Sequence, residues 1–208
     1  MICAIVLAAG ESRRMGVQKL LLPFGAKTVI AHIVDQLLPS VVGKVIVVTG
    51  HESGKVAEAL SGAPQRVSIV ENPDYPSGML SSVRCGIRAL PSGCHAAMVC
   101  LGDQPSVTTD LVNDLVHAFK GSDKGIVVPV FEGKRGHPIL FSERYYGEVL
   151  TRFDDAGLRG LLHAYQDDVF ELAVSTPAVL SDIDYPDDYR REIAASESDL
   201  AGERGPYE

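Results

Sequence analysis

The chain alternates short apolar runs with stretches in which apolar residues recur at helical spacing. Each run is continuously apolar, which is typical of a strand buried on both faces of a parallel sheet. Thr28, Ser53 and Thr108 precede three of the helical stretches as candidate start signals. The runs span residues 2–7, 44–49, 67–70, 96–101 and 125–131, and the helical stripes span 29–38, 56–60, 80–90 and 111–119. This alternation predicts a single-domain α/β fold, a three-layer αβα arrangement with a mostly parallel sheet.

The rhythm changes after residue 131. A turn at 132–134 and a strand at 137–141 predict a small β insertion near the C-terminal half of the chain. Helical patterns at 143–150 and 157–165 precede a last strand at 168–174 and a short closing helix. We expect the domain to span residues 1–196. The polar stretch 197–208, which contains Gly and Pro, predicts a disordered tail.

Composition limits what such a domain binds. The chain has 208 residues, with 27 acidic against 19 basic side chains, and this balance argues against a duplex nucleic-acid binder. An anion would therefore need a local basic cluster or a metal ion. The four cysteines form no C-x-x-C pair, which argues against zinc-ribbon and thioredoxin-type sites. Cys3 and Cys100 lie in apolar runs as small core residues, which fits a reducing, cytoplasmic setting. No stretch approaches the roughly 18 apolar residues that a membrane span needs.

The segment after the first predicted strand has the sequence LAAGESRRMGVQK over residues 7–19. Its small residues let the backbone approach a base or a phosphate, and Gly10 and Gly16 permit left-handed turns. Arg13, Arg14 and Lys19 place three positive charges in a chain of net charge −8. The spacing matches neither G-x-G-x-x-G nor a Walker A loop. The segment therefore predicts an anion-binding loop, with a solvated basic turn as the alternative.

Further polar residues stand at places where a sheet edge binds ligands. Asp103, in GDQP after the fourth run, could hold Mg²⁺ against phosphate oxygens or cap a turn. Residues 78–82 open a helix whose N–H groups could face an anion, or form an ordinary serine-capped loop. His137 is framed by Gly136 and Pro138, so it could bind a phosphate or be a structural histidine. Arg159, taken by itself, is equally well interpreted as a solvated helix arginine.

The stretch LAAGESRRMG followed by Lys19 resembles the signature loop of the nucleotidyltransferases that act on the molybdenum cofactor. The resemblance extends over residues 2–193, through NPDYPSGMLSS at 72–82, GDQP at 102–105, GHPILF at 136–141 and DIDYPDDY at 182–189. It implies a Rossmann-like fold of the nucleotide-diphospho-sugar transferase type. Guanylyl-transferring members resemble L-A-G-G in the first loop, whereas this chain has L-A-A-G, which favours cytosine.

The resemblance also implies roles for individual residues. Asp103 and Asp184 would hold Mg²⁺. Asp182 could substitute as a ligand, although the chemistry of Asx turns favours a turn residue there. Tyr185 and Asp187 depart from the family pattern, which has Thr and Glu there, and the departure puts a hydroxyl contact near Asp184 in doubt. The catalytic set is Lys19, Arg14 and Asp103; the nucleotide-binding set is Leu7, Ala8, Ala9, Gly10, Arg14, Lys19, Asn72, Gly78 and Ser82, with Ser81 as a weaker candidate; the acceptor-binding set is His137 and Arg159.

The activity implied is Mg²⁺-dependent transfer of CMP from CTP to the phosphate of a molybdopterin-type cofactor, with release of pyrophosphate. The acceptor phosphate is already anionic, so no catalytic triad is needed. Expected partners are CTP, the pterin cofactor and a molybdoenzyme or its chaperone, with no nucleic acid and no membrane. The alternatives are a guanylyltransferase of the same cofactor, another NTP-dependent nucleotidyltransferase, and a non-catalytic carrier of the cofactor.

Overall fold

A computed structural model describes the backbone of residues 1–203 and the side chains of residues 1–197. In the first half of the chain the elements are β1 (Ile2–Ala8), β2 (Pro23–Phe24), β3 (Lys27–Thr28), α1 (Val29–Leu37), β4 (Lys44–Thr49), α2 (Ser53–Ala59), β5 (Val67–Glu71), α3 (Met79–Arg88) and β6 (Ala96–Leu101). The second half contains α4 (Thr109–Gly121), β7 (Ile126–Phe131), β8 (Lys134–Arg135), β9 (Ile139–Ser142), α5 (Tyr146–Thr151), α6 (Leu158–Ala164), β10 (Val169–Ala173) and α7 (Pro186–Glu203).

The main sheet follows the strand order β10-β7-β9-β6-β1-β4-β5. Strand β1 lies between β4 and β6 and pairs with both in parallel. The predicted insertion is confirmed: β8 pairs with β7, and β9 runs antiparallel between β6 and β7. Because β1, β4, β5 and β6 are parallel, their carboxyl ends meet at one edge of the sheet, where ligands bind in folds of this class.

Helices cover both faces of the sheet, as the alternation predicts. Along β1, Ala4 and Val6 face one core and Ile5 faces the other, since successive side chains of a strand point to opposite sides. Helices α1, α2 and α4 pack on the first face, and α3, α5 and α6 pack on the second. Fully burying an aliphatic side chain such as Ile5 contributes about 1.5–3 kcal/mol. The three-layer αβα architecture is therefore confirmed.

Two of the three candidate helix starts act as caps. The side chains of Thr28 and Thr108 accept hydrogen bonds from the backbone N–H groups of Ala31 and Leu111. Ser53 is instead the first residue of α2, which begins after Glu52 in a left-handed conformation at φ 53° and has no side-chain cap. The sequence pattern predicted the start of α2 to within one residue, but the prediction that Ser53 caps this helix is wrong.

The C-terminal end differs from the sequence-based expectation. Helix α7 runs from Pro186 to Glu203, so residues 197–203 are helical where the sequence predicts a disordered tail. The segment from 194 contains Ala, Glu and Leu, which have high helix propensity, and this outweighs its polarity. The remainder of the predicted tail, residues 204–208, lies outside the described residues. In the described part of the chain, no helix has the length and apolar character needed to cross a membrane.

Candidate active site

A cleft of about 610 Å³ opens at the carboxyl ends of β1 and β6. It collects residues from the first loop, from the segment before α3, from the turn after β6 and from the segment before α7. Its lining is Leu7, Ala9, Gly10, Glu11, Ser12, Arg13, Arg14, Lys19, Leu20, Tyr75, Pro76, Gly78, Met79, Ser82, Leu101, Asp103, Asp182 and Asp184. Ala8 is buried beneath it and belongs to the core.

The first loop bends at Gly16, as the sequence suggests, and also at Ser12, but not at Gly10. Ser12 and Gly16 adopt the left-handed conformation, at φ 53° and 70°, whereas Gly10 does not. The expectation of a left-handed turn at Gly10 is therefore wrong. A Cβ at Gly10 would meet no atom within 4 Å, so the missing side chain leaves open space on the cleft side of the loop.

Gln18 closes this loop through its side chain, which is only 8% exposed. Its amide nitrogen donates to the carbonyls of Gly10 (3.1 Å) and His51 (3.4 Å). Its amide oxygen accepts from the hydroxyl of Ser12 (2.8 Å), and Ser12 Oγ accepts in turn from the backbone N–H of Lys19 (3.1 Å). The buried carboxamide of Gln18 thus connects Gly10, Ser12 and His51 by hydrogen bonds. The sequence analysis did not single out this residue.

Lys19 lies at the centre of the cleft. Its ammonium Nζ donates to Asp103 Oδ2 at 2.6 Å, to the carbonyl of Ile183 at 2.6 Å and to Asp184 Oδ1 at 3.3 Å. The next residue, Leu20, is buried in the core and anchors the short helical turn that begins at Lys19. The structure therefore brings Asp103 and Asp184, the two carboxylates that the resemblance assigns to the metal, together at the end of the first loop.

A glycine allows Asp103 to reach this position. The backbone N–H of Gly102 donates to the carbonyl of Leu7 at 3.0 Å, and a Cβ at Gly102 would lie 2.6 Å from that same oxygen. A larger residue would push the ends of β1 and β6 apart, because an approach of that kind is tighter than atoms tolerate. The backbone N–H of Ile183 donates to the carbonyl of Asp103 at 3.0 Å and fixes the last segment against the turn.

Asp184 is held from both sides. Its Oδ2 accepts from Arg14 Nη1 at 2.6 Å, and the Arg14 guanidinium lies over the Tyr185 ring, 5.6 Å from the centroid. The carboxylate of Asp188 accepts from the backbone N–H groups of Asp184 (3.0 Å) and Tyr185 (2.7 Å). Both backbone hydrogen bonds lower the pKa of Asp188, and the bond from Tyr185 has the larger effect. Asp188 therefore caps α7 and orients Asp184 at the same time.

The carboxylates create a strongly acidic corner. Desolvation, together with the charges of Asp103 and Asp184, raises the pKa of Asp182. Asp103, Asp184 and the carbonyl of Ile183 offer hard oxygen donors of the kind that Mg²⁺ and Mn²⁺ prefer. Among the side chains that the structure describes, no cluster of three or more His, Cys, Asp or Glu is arranged to hold a metal. Two carboxylates still fit, since Mg²⁺ sites commonly use one or two of them and complete the shell with substrate phosphates and water.

The segment before α3 brings a second wall to the cleft. Gly78 precedes the helix at φ 105°, a conformation that favours glycine, and both Gly78 and Ser82 line the cleft. Asn72, which the resemblance places on the nucleotide, is 4% exposed and does not line it. Its Nδ2 donates to the hydroxyls of Ser81 (2.9 Å) and Ser82 (3.1 Å). Asn72 therefore positions the serines, and its own polar atoms are engaged within the protein.

The two acceptor candidates lie outside the cleft lining. Gly136 packs so closely that a Cβ would stand 2.2 Å from the carbonyl of Val179, and the backbone N–H of His137 donates to that same oxygen at 2.9 Å. Burial lowers the pKa of His137 to about 4, while the charge of Asp103 opposes the shift and that of Arg159 adds to it. The imidazole is therefore neutral at neutral pH. Arg159 is exposed near the start of α6.

The sequence matches the model of the MobA-like NTP transferase domain over residues 4–169. The chain belongs to this family. It is 28% identical over 185 residues to the molybdenum cofactor cytidylyltransferase of Escherichia coli, covering 89% of this chain and 92% of that protein. It is 33% identical over 192 residues to the purine catabolism protein PucB of Bacillus subtilis, with the same coverage of each chain.

Solved structures of similar sequence share the fold of this MobA-like domain. A nucleotidyl transferase from Methanothermobacter superposes with a TM-score of 0.83 at 28% identity, covering 96% of this chain and 99% of that one. A Mycobacterium tuberculosis protein crystallised with manganese superposes with a TM-score of 0.76 at 29% identity, covering 93% and 98%. The protein is accordingly a nucleotidyltransferase with a Rossmann-like fold.

The MobA-like cleft is suited to a polyanion that arrives with a cation. Arg14 and Lys19 supply positive charge beside the carboxylates of Asp103 and Asp184, and the small residues Ala9 and Gly10 leave room above the sheet. Such an arrangement can neutralise and align phosphate oxygens.

Several residues of the MobA-like site escaped the sequence analysis. Tyr75 and Met79 line the cleft beside Gly78, and Met79 is 58% exposed, which is unusual for an apolar side chain. A Cβ at Gly50 would lie 2.7 Å from the Tyr75 ring, so that glycine lets the ring rest on the backbone. The available signal was a Tyr and a Met flanking a glycine at a helix start, which is weak in a single sequence.

Proposed function

We propose that this transferase moves a cytidylyl group from CTP to the terminal phosphate of a molybdopterin-type cofactor and releases pyrophosphate. The observation that carries the proposal is the meeting of Lys19, Asp103 and Asp184 beside the first loop. The likeness to the cytidylyltransferase of Escherichia coli supports the acceptor and the nucleotide. The sequence L-A-A-G at residues 7–10 supports cytosine over guanine.

Asp103 and Asp184 would hold a divalent metal ion, either Mg²⁺ or Mn²⁺. The manganese complex of the Mycobacterium tuberculosis relative supports that assignment. When bound, the ion would neutralise phosphate charge and help to align the α-phosphate with its nucleophile. Two carboxylates from segments far apart in the chain suit this task, because the substrate can provide the remaining oxygens.

The protein side chains would act by position and charge. A phosphate monoester is anionic at neutral pH, so it can attack the α-phosphorus without a general base. Arg14 and Lys19 would stabilise the triphosphate and the departing pyrophosphate, and Gly78 and Ser82 would border the nucleotide. His137, neutral at this pH, and Arg159 would contact the acceptor.

A second candidate is guanylyl transfer to the same cofactor. The probable molybdenum cofactor guanylyltransferase of Mycobacterium ulcerans is 33% identical over 135 residues, although the match covers 62% of this chain and 61% of that protein. The shorter match and the alanine at position 9 favour the cytidylyl assignment.

The experiment incubates the protein with molybdopterin, Mg²⁺ or Mn²⁺, and CTP, GTP, ATP or UTP in turn, and identifies the product by mass. We expect a cytidine dinucleotide of the pterin and stoichiometric pyrophosphate with CTP. A guanine dinucleotide would replace the cytidylyl assignment with the second candidate. Absence of any product in a single turnover would contradict the proposed acceptor.

The same assay tests the metal assignment. Asp103→Asn should lower kcat/KM about 100- to 1,000-fold, the usual cost of removing one electrostatic contact to a developing charge. The matched control is Asp123→Asn, because Asp123 is exposed in the turn between α4 and β7. Equal rates for the two variants would contradict the assignment.

A further inference from the structure

The hydrogen-bonding capacity of Lys19 is fully used within the protein. An ammonium group has three N–H donors and accepts nothing. Lys19 has three acceptors: Asp103 Oδ2 and the carbonyl of Ile183, both at 2.6 Å, and Asp184 Oδ1 at 3.3 Å. Its side chain is 12% exposed. In this arrangement Lys19 has no donor left for a phosphate oxygen.

The acceptors of Lys19 include both carboxylates assigned to the metal. Asp184 is occupied on its other oxygen by Arg14 at 2.6 Å. Two carboxylates within reach of one nitrogen repel each other, and the repulsion is strong where water is partly excluded. The ammonium offsets this repulsion because it contacts both carboxylates, whereas Arg14 contacts only Asp184.

We propose that Lys19 is the resident cation of the metal site and gives up Asp103 and Asp184 only when a triphosphate is present to receive its ammonium. The inference rests on the proposed function, since it takes these two carboxylates as the metal ligands. Before a nucleotide binds, a divalent ion has to displace the ammonium from both carboxylates, which leaves it only the carbonyl of Ile183 among its three acceptors. With a triphosphate bound, Lys19 exchanges two carboxylates for phosphate oxygens.

The consequence is a coupling between metal binding and nucleotide binding. Coupling between two ligands is reciprocal, so whatever the triphosphate contributes to metal affinity the metal contributes to triphosphate affinity. The protein alone should then bind a divalent ion weakly. Removing the ammonium should remove the competitor and strengthen the binding of the metal by itself, although the same change weakens catalysis.

The experiment titrates Mn²⁺ alone, without nucleotide, into the wild-type protein and Lys19→Met, with free Mn²⁺ followed by electron paramagnetic resonance. We expect Lys19→Met to bind Mn²⁺ at least about fivefold more tightly, the lower end of typical coupling between sites. Lys19→Arg keeps the charge and should bind no more tightly than the wild type. Lys27→Met is the matched control, because Lys27 also pairs with a carboxylate, that of Asp35, but lines a different groove.

Equal or weaker Mn²⁺ binding by Lys19→Met would overturn the inference. Lys19→Gln, which keeps a donor for the carbonyl of Ile183, repeats the measurement if thermal melts show that the Met variant is not folded. The double variant Lys19→Met with Asp103→Asn separates the two proposals. If the double variant still binds Mn²⁺ tightly, the metal lies elsewhere and the proposed metal assignment fails. If the tight binding is lost, the metal lies where proposed.

Discussion

At the scale of single residues, the cleft depends on contacts between segments that are far apart in sequence. Lys19 meets Asp103 across 84 positions and Asp184 across 165. Gln18 acts over a shorter range in sequence, but its carboxamide bonds to three groups: the carbonyls of Gly10 and His51 and the hydroxyl of Ser12. The carboxamide is buried, so each of its hydrogen bonds is costly to lose. The position of Lys19 therefore depends on the residue before it.

Gln18→Met tests this dependence. The substitution keeps the length of the side chain but removes the bonds to Gly10, His51 and Ser12, so the loop should move relative to Asp103. We expect kcat/KM for the nucleotide to fall roughly 10- to 100-fold, since a displacement of about 1 Å has effects of this size. Steady-state kinetics measure it, with Gln65→Met, at an exposed position, as the control. Unchanged kinetics in a folded variant would show that Gln18 does not position Lys19.

His137 predicts a pH dependence of stability. Burial lowers its pKa from 6.5 to about 4 in the folded protein, so between these values the unfolded chain binds more protons than the folded one. The free energy of unfolding should therefore fall as the pH drops from about 6.5 towards 4. Urea denaturation at several pH values measures the slope. His137→Gln should have a shallower slope over this interval, and parallel curves would contradict the interpretation.

At the scale of elements, close approaches decide where the polar segments lie. Gly102 lets the end of β6 contact the end of β1, and Gly136 lets the segment before β9 contact the carbonyl of Val179. Strand β9 then fills the space between β6 and β7 in antiparallel direction. The cap of α7 by Asp188 fixes the start of the last helix next to Asp184. These contacts place the ends of the elements, and with them the site.

Gly136→Ala tests the importance of such an approach. A Cβ would lie 2.2 Å from the carbonyl oxygen of Val179, and backbone cannot give way as the end of a flexible side chain can. We expect a loss of about 1–3 kcal/mol in the free energy of unfolding, as is usual for overpacking. Chemical denaturation measures the loss.

The control for this substitution is Gly54→Ala in α2. A Cβ at Gly54 meets no atom within 4 Å, so alanine there should leave stability unchanged or raise it by about 0.5–1 kcal/mol. Similar effects at the two positions would mean that the contact of Gly136 with Val179 carries no particular strain.

At the scale of the whole molecule, the parallel strands bring the ends of β1 and β6 together, and α7 returns the chain to the same edge. The net charge of −8 makes the electrostatic potential around the protein unfavourable to a polyanion. Arg14 and Lys19 offset the carboxylates of the cleft locally, since both cations are paired with them. The same molecule can therefore be acidic overall and still accept a triphosphate at one place.

The sequence by itself determined the alternation of strands and helices, the caps at Thr28 and Thr108, and the segments that meet in the cleft. The strands, helices and caps depend on periodicity and on spacing within a few residues, which a single chain displays directly, whereas the resemblance to the family indicated the segments of the cleft. Tertiary structure alone decided that Asn72 donates to the hydroxyl of Ser82 and that Gln18 holds the first loop closed. It also decided that the three N–H donors of Lys19 all bond to Asp103, Asp184 and Ile183. A buried polar group bonds to whichever complementary group the fold brings near it, and that choice depends on distances that no local pattern contains.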